Sequence, residues 1–406
     1  MIIERKPPRH PRRGPSCLLV LFVAFGIAVS LYVIQNAEEV REVIIPTPTM
    51  EPTRSATELA VLGELARDDG EYAEAIESYD KAVDLDATNP EFYIRLIDLL
   101  VTEGRSEEAV ERAEQAIILA PDNPNVWTVA AAAYISEGDR LGDLGDVNGA
   151  NLQYAEAAQA ARQALNIDPE NSTANAYAAG GLVLQGDPEK YEQALVFADD
   201  AVRMDPDNPI ARLYMATVLT YQGRYSEALE QYQLGLEADP NNPDLYIGIA
   251  YNYYGTGSIP DALLSFDDAI RVDEDNADAY DGRAFMYIQL GDAPLAEENA
   301  LESVRLNPDV ARAQGRLGEA YYRQNNYANA IDALEKAVDM YGTATELNAR
   351  FFNMLATAYI RRDLNDCPLA VPLFEEALDA TTNQLIIDAA NEGLLECRRA
   401  TLGTAP

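Results

Sequence analysis

Small residues recur along this chain at a nearly constant interval, within stretches whose apolar residues have helical spacing. Nine alanines share one local setting, and five of the eight intervals between them are 34 residues, while the others are 48, 37 and 40. A second small residue follows each alanine seven positions later. This period predicts a stack of helix pairs that cross closely at the small residues. The two sets are Ala75, Ala109, Ala157, Ala194, Ala228, Ala262, Ala296, Ala330 and Ala370, then Ala82, Ala116, Ala164, Ala201, Gly235, Ala269, Ser303, Ala337 and Ala377.

One unit, residues 209–242, shows the pattern without interruption. Its first half has apolar residues at helical spacing and stops at Gly223; the second half resumes that spacing and ends at Asp239 and Pro240. Glycine ends helices, and Asp, Asn and Pro begin the next ones, so the unit predicts two helices joined by a turn. The third unit carries a 14-residue excess around residues 139–152, in the turn between its helices.

The pattern resembles the tetratricopeptide repeat family over about residues 56–383, or nine units. That resemblance implies an all-α fold, a right-handed superhelical solenoid of antiparallel helix pairs. Residues 384–406 predict a capping helix and tail, because an open stack needs its last apolar face covered. The matching residues are the Leu-Gly pairs Leu62-Gly63 and Leu317-Gly318, the early aromatics Tyr93, Trp127, Tyr246 and Tyr280, and the terminal prolines Pro121, Pro169, Pro206, Pro240 and Pro308.

The N-terminal region predicts a membrane anchor. Residues 17–34 carry no charge, with five basic residues and Glu4 before them and Glu38 and Glu39 after them. These features predict a basic cytoplasmic tail (1–16), a single transmembrane signal-anchor (17–34), a Pro-containing linker (35–55) and extracytoplasmic repeats, as in a membrane-anchored bacterial protein. A cleaved signal peptide is the alternative, since Ala28-Val29-Ser30 offers small residues at a cleavage site.

Charge and histidine content limit the functional classes. The net charge of −38 disfavours nucleic acid, whose phosphates need Lys and Arg, and favours neutral or basic partners. The one histidine, His10, lies in the basic tail, so the repeats cannot form a Ser-His-Asp or Cys-His arrangement or a His-ligated zinc site. No nucleotide-binding motif occurs. We therefore expect no enzyme activity, no cofactor and no metal centre.

Two features leave alternatives open. The Asp- and Asn-rich turns at residues 142–149 and 273–276 suit calcium, although helix capping explains them more simply. Cys367 and Cys397 are nearly equidistant from the turn of a predicted hairpin, so antiparallel packing would bring them together. Export would permit a disulfide, and two neighbouring free thiols are the alternative.

The family resemblance also implies a binding wall. First helices line the inner, concave face, and the fifth, ninth and twelfth positions of each unit should face it, with the thirteenth adjoining. Tyrosine combines apolar area with a hydrogen-bonding tip, which suits an extended peptide, although some of these rings would instead pack between helices. The predicted partner-binding residues are Leu213, Thr217, Tyr221, Ile247, Tyr251, Tyr254, Asp281, Phe285, Gln289, Tyr322 and Arg323.

These features together predict a membrane-anchored extracytoplasmic scaffold that binds a protein or peptide partner through its concave face, with membrane contact through residues 17–34 only. Two alternatives remain: an assembly factor for envelope or secretion machinery, and a cell-surface module that binds glycans.

Overall fold

The computed structural model describes residues 17–35 and 54–402 of the 406-residue chain. The chain divides into two compact units at Ser55 and Ala56. The first contributes one helix, α1 (Cys17–Gln35), and the second contributes nineteen, with no strand in either described stretch. The predicted all-α solenoid of repeated helices is confirmed. The predicted tail (1–16), most of the linker (35–55) and residues 403–406 lie outside the described residues.

Helix α1 corrects the predicted membrane anchor. It has 19 residues, about 28 Å at ~1.5 Å per residue, and includes the polar Ser30 and Gln35. A span needs about 20 predominantly apolar residues. Within the described part of the chain, no helix has both the length and the apolar character to cross a membrane. The transmembrane assignment of residues 17–34 and the single-pass localisation, with a cytoplasmic N-terminus and extracytoplasmic repeats, are therefore wrong.

The second unit is a succession of nine helix pairs and a final helix, α20 (Gln384–Thr401). The first helices of the pairs are α2 (Ala56–Asp68), α4 (Pro90–Thr102), α6 (Pro124–Asp143), α8 (Ser172–Val183), α10 (Pro209–Tyr221), α12 (Pro243–Gly255), α14 (Ala277–Leu290), α16 (Ala311–Arg323) and α18 (Ala349–Arg362). The second helices are α3 (Tyr72–Leu85), α5 (Ser106–Leu119), α7 (Val147–Ile167), α9 (Tyr191–Met204), α11 (Tyr225–Ala238), α13 (Ile259–Val272), α15 (Ala293–Leu306), α17 (Tyr327–Tyr341) and α19 (Cys367–Ala380).

The turns between pairs are fixed by side-chain caps. Asn208 accepts hydrogen bonds from the backbone N–H groups of Ile210 and Ala211, at 3.0 and 3.3 Å, and Pro209 begins the helix. Proline is suited to that position because its missing N–H would have no intrahelical partner. In the 273–276 turn, the Asp273 carboxylate accepts from the backbone N–H of Asp275 at 3.2 Å. No group of three or more potential metal-ligating side chains is found among the described residues.

The periodic small residues lie in the interior of the stack. All nine alanines of the first set have no exposed surface. Rings fill the space beside such positions. A Cβ built on Gly282 would lie 2.2 Å from Cε1 of Phe266, itself fully buried in the preceding pair. Glycine is therefore required where this ring presses against α14.

We expect Gly282→Ala to lower the free energy of unfolding by about 1–3 kcal/mol, because overpacking outweighs the higher helix propensity of alanine. Thermal and urea unfolding would measure the change. Gly142→Ala is the matched control, since its Cβ would meet only the Ala150 Cβ, at 3.9 Å. We expect that variant to be neutral or more stable by up to about 1 kcal/mol. Equal stability of Gly282→Ala and wild type would contradict this account of the packing.

The last pair is joined to α20. A disulfide connects Cys367, at the start of α19, to Cys397, near the end of α20, with their Cα atoms 5.5 Å apart. Helix α20 packs against both α18 and α19. Gly393 lies on the buried ring of Phe374, since its Cβ would be 2.2 Å from Cζ of that ring. The final helix thus covers the apolar face that the ninth pair would otherwise expose. The bond's formation in the cell stays a prediction.

Mass spectrometry of the non-reduced protein should recover the peptides that contain Cys367 and Cys397 as one linked species. We expect Cys397→Ser to reduce stability by about 2–4 kcal/mol, because the bond closes a loop of 30 residues. Thr381→Ser, a conservative change beside the same hairpin, serves as the control. Two free thiols in protein isolated under alkylating conditions would contradict the pairing.

Candidate functional site

The predicted wall residues lie on α10, α12, α14 and α16. Tyr221 is the most accessible ring among them, with 47% of its surface exposed at the end of α10. It packs edge-to-face against Tyr191 of the preceding pair, with centroids 5.8 Å apart. Tyr251 is half-buried and packs edge-to-face on Phe266 at 5.4 Å. Both tyrosines are thus held in place by neighbouring rings while part of each stays accessible.

Tyr254 and Phe285 form a second aromatic contact. Their ring centroids lie 5.1 Å apart in an edge-to-face arrangement that joins α12 to α14. The guanidinium of Arg316 lies 4.7 Å from the centre of the Phe285 ring, within cation–π range. These two rings hold successive first helices together, so packing between helices is part of their role.

Asp281 lies in a charge network that is buried in the stack. Its side chain is 1% exposed and accepts hydrogen bonds from Arg312 Nε, at 2.7 Å, and from Arg316 Nη1. Arg312 Nη2 also donates to Asp278 at 2.8 Å. Because Asp281 has almost no accessible surface, it acts on the wall by positioning the two arginines.

Of the remaining predicted residues, some are exposed and the others are half-buried. Gln289 is exposed, and so is Arg323, which donates to Glu319 at 2.8 Å. Tyr322 is half-buried and packs on Tyr327 at 5.9 Å. Leu213, Thr217 and Ile247 are half-buried on α10 and α12. Partner binding by all of these residues stays a prediction.

The sequence analysis missed a contact between distant pairs. The excess residues of the third pair lengthen α6 and α7 to 20 and 21 residues. At the end of α6, Asp143 Oδ1 lies 3.2 Å from Nη1 of Arg312 in the eighth pair. Asp139, one turn earlier, accepts a 2.7 Å hydrogen bond from the Tyr154 hydroxyl. The stack therefore curves enough to bring the third pair onto the eighth.

Part of this network has a signal in the sequence: the second residue of three successive first helices is charged. Asp244, Asp278 and Arg312 occupy that position at intervals of one period, 34 residues. Arg312 and Asp278 pair directly in the structure. The family pattern directed attention to other positions, so this row of charges was overlooked.

The carboxyl groups of this region have many protein atoms around them, although the side chains of Asp139 and Asp244 keep accessible surface. Desolvation raises the pKa of Asp139 to about 7, although the Tyr154 hydroxyl opposes the rise; the charges of Asp143, Asp278 and Asp244 add to it. Desolvation also raises the pKa of Asp143 to about 6 against the influence of Arg312, and that of Asp244 to about 6. These surroundings therefore raise the pKa of all three carboxyl groups above the ordinary value of 3.8.

These carboxyls should make stability depend on pH. A carboxyl whose pKa is higher in the folded chain than its unfolded value of 3.8 takes up protons on folding. This proton uptake stabilises the folded chain fully below the pKa of the unfolded state. The stabilisation is lost as pH rises through the pKa of the folded state. We expect the free energy of unfolding to increase as pH falls from about 8 to about 5.

Asp139→Asn should flatten this dependence and stabilise the protein at about pH 8, by about 1 kcal/mol after allowance for the accessibility of the side chain. Urea unfolding at several pH values measures it. Glu103→Gln, which neutralises an exposed carboxylate at the turn of the second pair, gives the baseline. The same pH slope in both variants would contradict the assignment.

Comparison with known families agrees with the architecture. One tetratricopeptide repeat family model matches residues 66–138, 187–250 and 219–284, and a second tetratricopeptide repeat model matches residues 283–345. The matched stretches include the helices that carry most of the predicted wall.

Individual relatives resemble part of the chain. Photosystem I assembly protein Ycf3 of Synechococcus elongatus is 32% identical over 127 residues, which are 30% of this chain and 73% of that protein. The Rippkaea orientalis protein of the same name is 30% identical over 112 residues, 27% of this chain and 65% of that protein. Among solved structures, the human IFIT1 dimer with m7Gppp-AAAA has a TM-score of 0.62 at 17% identity, covering 90% of this chain and 93% of that one. That likeness shows the fold alone.

Proposed function

We propose that this chain, which belongs to the tetratricopeptide repeat family, is a scaffold for a protein partner. It binds an extended peptide segment of that partner along the first helices of its fifth to eighth pairs. The row of rings on these helices is the observation that carries the proposal. Tyr221 and Tyr251 retain accessible surface while Tyr191 and Phe266 hold their rings in position. Rings held in place in advance lose little conformational freedom on binding, which favours affinity.

The partner is neutral or basic. The chain has a net charge of −38, which includes Asp244 on α12, one of the helices that carry the wall. Desolvation raises the pKa of this carboxyl to about 6, so it is mainly ionised at neutral pH. A polyanion would meet repulsion there, whereas Lys or Arg side chains would gain from both the carboxylates and the ring faces. The proposal assigns the chain no catalytic activity.

A second candidate function is that of an assembly factor, whose partner is an incomplete multi-subunit complex. The similarity to the two photosystem I assembly proteins favours it, at 30–32% identity over less than a third of this chain. It differs from the first candidate in predicting capture of newly made subunits and release of the finished complex.

Crosslinking followed by affinity capture of the full chain tests the proposal. We expect Tyr221→Ala and Tyr251→Ala each to lower recovery of the specific partner at least about tenfold, as a buried aromatic contact worth about 1.4 kcal/mol or more would require. Raising the salt concentration should weaken capture of a basic partner.

Tyr246→Ala is the matched control, because this tyrosine lies on α12 but bonds through its hydroxyl to the Pro240 carbonyl at 3.2 Å. Thermal unfolding of each variant shows whether the fold is retained. If folded Tyr221→Ala and Tyr251→Ala proteins captured the partner as well as wild type does, peptide binding at the wall would be refuted. Enrichment of newly synthesised subunits over mature complex in the captured material would identify an assembly factor.

A further inference from the structure

The third pair carries an extension that we name the arm, residues 139–152, comprising the end of α6, the turn and the start of α7. Helices α6 and α7 have 20 and 21 residues, whereas the other paired helices have 12–15. The excess extends each helix by roughly 10 Å at ~1.5 Å per residue. The arm therefore projects well beyond the turns of neighbouring pairs.

The tip of the arm is joined to the eighth pair by charge. Asp143, with 22% of its side chain exposed, lies 3.2 Å from Arg312 on α16. Arg312 is also bound by Asp278 and Asp281 of the seventh pair, at 2.8 and 2.7 Å. The arginine is thus fixed by α14, and Asp143 joins a network that exists without it.

The backbone of the tip makes a second contact there. Gly145 has a φ of +85°, and a Cβ built on it would lie 2.2 Å from Cδ1 of Tyr341 and 3.3 Å from its Cα. Only glycine fits this conformation and this approach. The tip therefore rests directly on the last residue of α17.

The arm also lies near the predicted wall. Besides desolvation and Tyr191, the charge of Asp139 raises the pKa of Tyr221. Desolvation raises the pKa of Tyr214 on the same helix, and Tyr177, Asp139 and Asp244 contribute. Asp139, at the base of the arm, therefore contributes to the electrostatic surroundings of both tyrosines.

This closure is weak compared with the rest of the stack. The extensive helix contacts join neighbouring helices or helices two apart in the chain. The arm is instead held by one ion pair, whose arginine is 36% exposed, and by the packing of Gly145 on Tyr341. Partly exposed ion pairs contribute little to stability, so the arm can detach while the stack stays folded.

We propose that the arm is a latch: its tip joins the third pair to the eighth, which encloses the pairs between them, and a peptide gains full access to Tyr221 and Tyr251 only after the tip leaves Arg312 and Tyr341. The inference rests on the proposed peptide-binding function and adds its control. A closed arm holds Asp143 against Arg312 and narrows the approach to the partly exposed wall, so binding and arm opening are coupled.

A pair of opposite variants tests the latch in the full chain. Asp143→Asn/Gly145→Ala removes the ion pair and places a Cβ against the Tyr341 ring, which opens the arm. Gly145→Cys/Tyr341→Cys places two thiols where a disulfide can form and lock it. Both are made in a Cys17→Ser background, with Glu103→Gln as the control for loss of one carboxylate.

The probe is a pool of unstructured, basic dodecapeptides that carry a benzophenone, and the readout is photocrosslinking to α10 and α12, located by mass spectrometry. We expect the opened variant to crosslink at least about threefold more than wild type. The oxidised locked variant should crosslink at least about threefold less and recover on reduction. Wild type treated with the same reductant controls for the loss of the Cys367–Cys397 bond, and circular dichroism confirms folding.

The outcomes separate the two proposals. Equal crosslinking at the wall in opened, locked and wild-type proteins would overturn the latch and leave peptide binding at the wall supported. If no variant, including the opened one, crosslinked at the wall, both peptide binding there and the latch would be overturned.

Discussion

Close approach of helices at positions without a large side chain determines the rest of this structure. At Gly63, Gly248 and Gly282, an added Cβ would fall within 2.6 Å of a ring atom of Tyr79, Tyr232 or Phe266, respectively. Each ring fills the space that its glycine leaves free. The contact at Gly63 lies within one pair, whereas those at Gly248 and Gly282 join successive pairs and are one period apart. Successive pairs therefore adopt a similar relation, and small rotations between them accumulate into curvature. That curvature brings the third pair to the eighth.

The architecture is largely predictable from the sequence because its contacts are local. The alanines from Ala75 to Ala370 pack against residues of the same or the next pair, so their spacing alone predicted the helix pairs. The meeting of Asp143 with Arg312 depends on rotation summed over five pairs, and a period in the sequence does not specify that angle. The anchor prediction failed for a different reason. It relied on the absence of charge in residues 17–34, on a length close to that of a span and on the flanking charges, whereas the helix does not combine the length and the apolar character that crossing a membrane requires.

The sequence predicted the residue types of the wall better than the exposure of each residue. Tyr221 and Tyr251 have the partial exposure that a binding residue needs, while Asp281 is buried beneath two arginines. Counting positions along a helix predicts which face a residue takes. It does not show whether a charged neighbour one period later, such as Arg312, will cover that residue. The row of charges at second positions is periodic in the sequence, but only the stacked pairs show that Arg312 meets Asp278.

Charge and access act on a ligand at different stages of binding. Under the proposed function, the acidic surface would act at a distance, within about 10 Å at moderate salt, and would select ligands before contact. Under the proposed function, Asp244 would act at contact, since a pKa of about 6 leaves it mainly ionised at neutral pH, whereas a pKa of about 7 leaves Asp139 partly protonated. If the arm acts as the proposed latch, it would also select by thickness, since a single extended strand occupies far less space than a folded domain. A wall of rings with a narrowed approach would then suit a basic, unfolded segment better than the surface of a globular protein.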